Sequence, residues 1–124
     1  MEAKAKEFFN DASNKLKEAN EELFRPEEDV VSYLVCKNAQ HAIENYLKGY
    51  LLKNDINPDR FRTIDSLYNE CKRINKDFEK VNLSGFDCKA QDIHSKYCLE
   101  VSKVSNCYNV ANHLDSFLRD QKII

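Results

Sequence analysis

The residues best suited to chemistry form a polar stripe along the second of several predicted helices. They recur at intervals of four, three and four positions, a spacing that places them on one helical face: Lys37, His41, Glu44 and Lys48. Two lysines and a histidine supply positive charge and hydrogen-bond donors that could hold an anion. His41 and Glu44 could supply two metal ligands, but one such pair falls short of a site. A solvated face, in which Glu44 pairs with Lys48, is the alternative interpretation of the stripe.

The other candidates for catalysis or metal binding are scattered along the sequence. His94 lies close to Lys96 and Tyr97 on a short predicted helix, and His113 falls at the edge of an apolar face. We interpret both histidines as boundary residues rather than catalytic bases. The five cysteines contain no CxxC pair, so we expect free structural thiols, no metal and no cofactor. With only two glycines, the chain cannot build a glycine-rich loop for phosphate.

Length and composition predict one helical domain that spans residues 1–124. Hydrophobic residues make up 42% and charged residues 32% of the chain, which is typical of a globular protein. Two glycines and two prolines are too few for the many tight turns of a β-rich fold. A net charge of −2 and a pI of about 5.9 give no global basic field for nucleic acid, although a local patch could still bind it.

The hydropathy pattern predicts a cytoplasmic protein that does not enter the membrane. No apolar run approaches the ~20 residues that span a bilayer. The N-terminus alternates charged and apolar residues and has no signal-peptide core. We therefore expect the thiols to stay reduced.

Hydrophobic periodicity predicts two long helices at the start of the chain. The first runs from about Glu2 to Leu23 and has one apolar stripe, about 100° wide. The second, from about Glu28 to Asn54, is apolar over roughly half its circumference, as expected for a central helix. Its face is wider than one small bundle can easily cover, which favours self-association. Ala42 and Gly49 lie near each other on this face, where small side chains let another helix approach.

The second half of the chain predicts three more helices. Asn57-Pro58-Asp59 is a turn or cap signal that precedes a helix from about Thr63 to Asn75. A short helix is predicted from Cys88 to Cys98. The last helix begins near Ser102, a candidate N-cap, and ends near Asp120. Short connections between successive amphipathic helices predict an all-α, up-and-down four-helix bundle with one additional short helix.

Several segments occur in an order that is typical of a known family. They are the opening AKEFFNDASNKLKEA, the central SYLVCKNAQHAIENYLKGYL, Thr63-Ile64-Asp65-Ser66-Leu67 and Lys96-Tyr97. The chain resembles the HEPN family of small helical-bundle proteins. Many members read Thr-His-Asp-Leu at the third segment and Arg-Tyr-Pro at the fourth. The resemblance implies a helical bundle that is commonly dimeric and often encoded beside a minimal nucleotidyltransferase.

Members of this family include toxin ribonucleases and modules that bind nucleotides or RNA. The ribonucleases carry Arg-x4-6-His, in which the arginine stabilises phosphate charge and the histidine moves protons. None of the five arginines here has a histidine at that spacing. Ile64 replaces the histidine of Thr-His-Asp-Leu, Lys96 replaces the arginine of Arg-Tyr-Pro, and Cys98 replaces its proline. The chain therefore departs from the ribonuclease pattern.

The leading hypothesis is a non-catalytic HEPN-like binding module. Its ligand would be a nucleotide, an RNA or a partner protein such as a minimal nucleotidyltransferase, as in a toxin–antitoxin-like system. We expect a homodimer and no catalytic residue. One alternative is a divergent ribonuclease whose site is assembled across a dimer from His41, His94 or Lys96, and another is a purely structural dimerisation domain. The expected ligand-binding residues are Lys37, His41, Glu44, Lys48, Lys96 and Tyr97.

Overall fold

Four α-helices form the structure, a computed structural model that describes residues 2–23, 32–81 and 101–124. Two short 3₁₀ turns flank the third helix, at Pro58–Arg60 and Lys76–Lys80. The predicted all-α fold is confirmed. The helices are α1 (Glu2–Leu23), α2 (Ser32–Lys53), α3 (Ile64–Ile74) and α4 (Val101–Asp120).

The predicted helix boundaries agree with the structure at most ends. The first helix has the expected bounds, and Thr63 caps α3. The expected N-cap at Ser102 is wrong, because the chain is already helical at Val101. The predicted start of the second helix at Glu28 and the short helix Cys88–Cys98 lie outside the described residues. No described helix is long and apolar enough to cross a membrane.

Side-chain contacts show that α1 and α2 run in opposite directions. The hydroxyl groups of Ser13 and Tyr46 lie 3.2 Å apart. The ring of Phe9 on α1 packs against Gly49 on α2. Phe9 precedes Ser13 whereas Gly49 follows Tyr46, so the two helices are antiparallel. A Cβ added to Gly49 would lie 2.7 Å from the Cε1 atom of Phe9 and 3.2 Å from the carbonyl oxygen of Ala5. The expectation that a small residue here admits a neighbouring helix is confirmed.

The helices α2 and α4 run in the same direction. Tyr46 on α2 is hydrogen-bonded to Asp115 on α4, and Lys53 at the end of α2 reaches the carbonyl oxygen of Ile123 just beyond α4. Because α1 is antiparallel to α2, it is also antiparallel to α4. This alternation is the one that an up-and-down bundle requires.

The central helix is α2, which contacts each of the other three helices. Among the described residues it contributes more buried side chains than any other element, as predicted. These apolar side chains are enclosed within the single chain, so the expectation that the face of this helix exceeds one bundle is wrong for the described residues. The largest fully buried side chains of the core are Tyr46, Phe78, Ile43, Leu47, Leu51, Ile64, Leu67, Leu114, Leu118 and Val35.

A left-handed residue ends α4 and turns the chain back toward α2. Lys122 has a φ of 59°, and the amide nitrogen of Ile123 donates to the carbonyl oxygen of Leu118 at 2.9 Å. This pattern is the Schellman motif, in which the residue after a helix satisfies a carbonyl of its last turn. Asp55 ends α2 in the same way, with a φ of 61°. The turn at Lys122 brings the last residues of the chain against the hydrophobic core.

Hydrogen-bonding side chains fix the start of α3. The Oγ1 atom of Thr63 accepts from the amide of Ser66 at 3.0 Å, and the Oγ atom of Ser66 accepts from the amide of Thr63 at 3.2 Å. This reciprocal pair is a capping box, which satisfies amides that have no partner within the helix. Asn57 caps the preceding 3₁₀ turn through the amide of Asp59, so the predicted turn signal is confirmed.

Candidate functional site

The polar stripe of α2 is organised around one buried carboxylate. Glu44 is 8% exposed, and its Oε1 atom accepts a hydrogen bond of 2.7 Å from Nζ of Lys48. The Lys48 side chain is 19% exposed. The Lys48 ammonium group is therefore largely shielded from solvent and paired with the Glu44 carboxylate. The pairing that the sequence suggested between these two residues is confirmed.

His41 approaches the other oxygen of the same carboxylate. Its Nδ1 atom lies 3.6 Å from Oε2 of Glu44, which is longer than a hydrogen bond. No described donor lies within hydrogen-bond distance of that buried oxygen. Burial alone would raise the pKa of Glu44, but His41 and Lys48 together hold it below its ordinary value. The carboxylate thus stays ionised and keeps both basic side chains on one patch.

The rest of the predicted binding set is only partly described. Lys37 lies one turn before His41 and is half-buried. Lys96 and Tyr97 lie outside the described residues. The structure therefore brings His41 and Lys48 together on Glu44, and the proposed contribution of Lys96 and Tyr97 stays a prediction.

A second polar cluster, which the sequence did not reveal, joins α1, α2 and α4. The Tyr46 hydroxyl donates to Oδ1 of Asp115 at 2.5 Å, and Nε of Arg119 donates to both oxygens of that carboxylate at 3.1 and 3.0 Å. Nη2 of Arg119 also donates to Oγ of Ser13 at 3.4 Å, which in turn lies 3.2 Å from the Tyr46 hydroxyl. These four side chains form a closed ring of hydrogen bonds.

The ring changes the proton affinity of its members. Burial, together with the carboxylate of Asp115, raises the pKa of Tyr46 well above its ordinary value. The same carboxylate raises the pKa of Arg119. Tyr46 is therefore a firmly protonated donor and Arg119 a permanent cation, so the ring holds charge in place and offers no activated nucleophile.

A cleft opens beside this ring, between α1 and the ends of α2 and α4. We call it the α1–α4 cleft. Its larger lobe has a volume of about 400 Å³. Three cationic side chains and no acidic side chain occur among the described residues that line this lobe: Ala5, Lys6, Phe9, Asn10, Ser13, Lys53, Arg119, Ile123 and Ile124.

A second, smaller cavity shares Ser13 and Arg119 with the larger one, and we call it the smaller lobe of the α1–α4 cleft. It has a volume of about 220 Å³ and contains Asp115. On its wall the Tyr108 hydroxyl donates to Oδ1 of Asn20 at 2.8 Å. The carboxylate makes this lobe less favourable for an anion than the larger one.

Comparison with known protein families establishes the family of this chain. A family model described as HEPN domain matches residues 3–114. The chain belongs to the HEPN family. No curated protein and no solved structure matches it.

One position at which the HEPN chain differs from the expected Thr-His-Asp-Leu segment lies in the core. Ile64, where many members carry histidine, is 2% exposed and packs in the hydrophobic core. The Ile64 side chain therefore contributes to the packing of α3 in the core. His113 on α4 is exposed, and the side chain of His94 lies outside the described residues.

The described part of this HEPN chain offers little for metal binding. It contains no group of three or more His, Cys, Asp or Glu side chains that could hold an ion. Cys71 is a free, buried thiol whose Sγ donates to the carbonyl oxygen of Leu47 at 3.6 Å. The side chains of the other four cysteines lie outside the described residues.

Sequence reasoning missed the residues of the α1–α4 cleft because they meet only in three dimensions. Arg119 and Asp115 are four positions apart, so their pairing on one helix could have been read from the sequence. Tyr46 falls on the apolar face of the second helix by its spacing, although a buried tyrosine hydroxyl usually has a partner. Nothing in the sequence indicates that Lys6 and Lys53, from two different helices, line the same cleft.

Proposed function

We propose that this chain is a non-catalytic HEPN binding module whose α2 stripe takes the phosphate of a nucleotide or an RNA. Lys37 and His41 would contact the ligand. Lys48 would add to the local positive field, and Lys96 and Tyr97 would approach from the neighbouring segment. Glu44 would position the basic side chains rather than touch the ligand.

The observation that carries this proposal is the shared carboxylate of Glu44. An ionised and buried acid on a central helix holds His41 and Lys48 on one patch. Because Lys48 spends one charge-assisted hydrogen bond on Glu44, it adds less to anion binding than a solvated lysine. A phosphate would be held chiefly by the charge of the basic side chains, so its binding should weaken as salt rises.

The test is titration of a nucleotide panel and a short single-stranded RNA at low salt. The Lys37→Ala/His41→Ala variant removes the contacts but keeps the Glu44–Lys48 pair that stabilises α2. Lys76→Ala/Lys80→Ala removes two exposed lysines near α3 and serves as the matched control. We expect the affinity of the first variant for the ligand to be about tenfold lower than that of the wild type. The control should bind with the affinity of the wild type. Equal binding by all three proteins, or none by any, would contradict the proposal.

The alternatives predict different outcomes for the same protein. A divergent ribonuclease would cleave the RNA, and the cleavage would disappear in His41→Ala or His94→Ala. A partner protein, such as a minimal nucleotidyltransferase, would form a stable complex in gel filtration while the nucleotides and RNA fail to bind. We propose a homodimer on the family relationship alone, since α2 is covered within one chain. A monomeric mass in light scattering would contradict it.

A further inference from the structure

We propose that the larger lobe of the α1–α4 cleft is a second binding site, separate from the α2 stripe. Its ligand class is a small organic phosphate, that is, a phosphate monoester with a compact apolar body. The site lies between the first half of α1 and the residues that follow α4, and it does not include any residue of the α2 stripe.

The charge of the lobe departs from that of the whole chain. The protein carries a net charge of −2, yet Lys6, Lys53 and Arg119 line this lobe and no acidic side chain does so among its described residues. Like charges on a surface repel one another unless an anion lies between them. Lys6 and Lys53 match the two charges of a dianionic phosphate better than the single charge of a carboxylate, and Arg119, whose charge is partly balanced by Asp115, adds hydrogen-bond donors.

Arg119 is held in place before any ligand arrives. Its Nε is fixed by the Asp115 carboxylate and its Nη2 by Ser13. Asp115 is itself fixed by the Tyr46 hydroxyl, and Asp115 lines only the smaller lobe. A guanidinium group that is already ordered loses little conformational entropy when it binds an anion.

Lys53 has a different arrangement that leaves its charge available. Its Nζ donates to the carbonyl oxygen of Ile123 at 3.2 Å, which is a neutral acceptor. An ammonium group has three donors, so two remain for a ligand. Lys6 is exposed on α1 and lies on the same lobe.

The apolar part of the lobe favours a ligand with a hydrophobic body. Phe9 and Ala5 form one wall, and the left-handed turn at Lys122 places Ile123 and Ile124 on the lobe. Small-molecule sites combine apolar walls with a few convergent polar groups. A volume of about 400 Å³ lies near the lower end of such sites and suits a compact molecule rather than a polymer.

The experiment uses phenyl phosphate as the probe, with inorganic phosphate and benzoate as comparisons. Inorganic phosphate has the anion without the apolar body, and benzoate has the ring with a single charge. Calorimetric titration should show saturable binding of phenyl phosphate, with both comparison ligands weaker by about tenfold. In methyl NMR spectra the signals of Ile123 and Ile124 should shift, and those of Val35 on α2 should stay in place.

Variants separate this site from the α2 stripe. Lys6→Ala/Lys53→Ala, which leaves every residue of the α2 stripe in place, should weaken phenyl phosphate binding by about tenfold or more, whereas the matched control Lys76→Ala/Lys80→Ala should bind it like the wild type. Arg119→Lys, which keeps the charge, should have an intermediate affinity. Thermal unfolding of each variant shows that the fold is kept. The proposal is overturned by equal binding of benzoate, by an unchanged affinity of the Lys6/Lys53 variant, or by the absence of saturable binding.

Discussion

The Tyr46 hydroxyl on α2 donates a 2.5 Å hydrogen bond to Oδ1 of Asp115 on α4, although the two residues are 69 positions apart in the sequence. Tyr46 is fully buried, and Asp115 is also bound by Arg119. A hydrogen bond to an ionised acceptor contributes more than a neutral one. The pair therefore ties the central helix to the last helix at one point in the core.

Removal of this hydroxyl should destabilise the fold without unfolding it. We expect Tyr46→Phe to lower the free energy of unfolding by about 1–2 kcal/mol, because Asp115 loses one donor but keeps Arg119. Ser13→Ala should lower it less, since its contacts in the ring are longer. Denaturant titration measures both values. If Tyr46→Phe were as stable as the wild type, the hydroxyl would contribute nothing to the fold.

The same substitution should change the response to alkali. The pKa of Tyr46 is higher in the folded chain than in the unfolded chain, so the unfolded state loses its proton first as the pH rises above about 10. The contribution of Tyr46 is therefore complete below that pH and declines above it. The free energy of unfolding of the wild type should fall more steeply than that of Tyr46→Phe. Parallel pH profiles for the two proteins would show that Tyr46 is not responsible.

Loss of Lys48 alone should lower the free energy of unfolding more than loss of both charges of the Glu44–Lys48 pair. We expect Lys48→Met to lower the free energy of unfolding by about 2 kcal/mol, because a buried carboxylate then loses its 2.7 Å hydrogen bond from the Lys48 ammonium group. Glu44→Gln/Lys48→Met, which removes both charges, should recover most of that loss. Thermal and denaturant unfolding measure both variants. An additive double variant would mean that the two side chains act independently.

The pH dependence of Glu44 has the opposite sign to that of Tyr46. Its pKa is lowered in the folded chain, so its contribution is present above the unfolded value of about 4.3. That contribution is lost as the pH falls through the lower folded value. Glu44→Gln should therefore show a shallower decline in stability under acid than the wild type. A decline of the same slope in both proteins would assign the acid sensitivity to other carboxylates.

The contact of Gly49 with α1 leaves no room for a methyl group. We expect Gly49→Ala to lower the free energy of unfolding by about 1–2 kcal/mol, although alanine is the better helix former by about 1 kcal/mol. The added Cβ would collide with the Phe9 ring and crowd the carbonyl oxygen of Ala5. In a Phe9→Leu background the same substitution should be less harmful. A stabilising effect of Gly49→Ala in the wild type would rule out this close approach.

Lys122 occupies a position where glycine is preferred. A non-glycine residue in the left-handed region is strained by about 1 kcal/mol, and glycine also increases the entropy of the unfolded chain. We expect Lys122→Gly to raise the free energy of unfolding by about 0.5 kcal/mol, seen as a small rise in Tm. The matched control, Gln121→Gly, has no such strain to relieve and should be destabilised. The same response from both variants would argue against strain at Lys122.

Much of the fold was predictable from the sequence, since it follows from local patterns. The apolar stripes defined α1 and α2, and Thr63 with Asn57 marked the start of the next elements. The central position of α2 followed from the width of its apolar face. Whether that face is covered by the same chain depends on tertiary packing, which periodicity cannot report, and the inference of excess apolar surface failed for this reason.

The candidate site was predictable only in part. Spacing alone placed His41, Glu44 and Lys48 on one face and indicated the pair that forms. It did not show that Glu44 is buried, because burial depends on the elements that pack over the helix. The hydrogen bond between Tyr46 and Asp115 joins positions that are far apart in the sequence. No pattern in a single sequence encodes such a contact.

Cys71 provides a way to measure local opening of this bundle. Its thiol is fully buried between α3 and the backbone of α2, and burial raises its pKa. Alkylating reagents react with the thiolate, so modification of Cys71 requires that α3 first separate from α2. When reclosing is faster than alkylation, the labelling rate of this one cysteine, followed by mass spectrometry of its peptide, equals the open fraction multiplied by the intrinsic rate. The labelling rate of Cys71 therefore reports the equilibrium population of the locally unfolded state in which α3 has left α2.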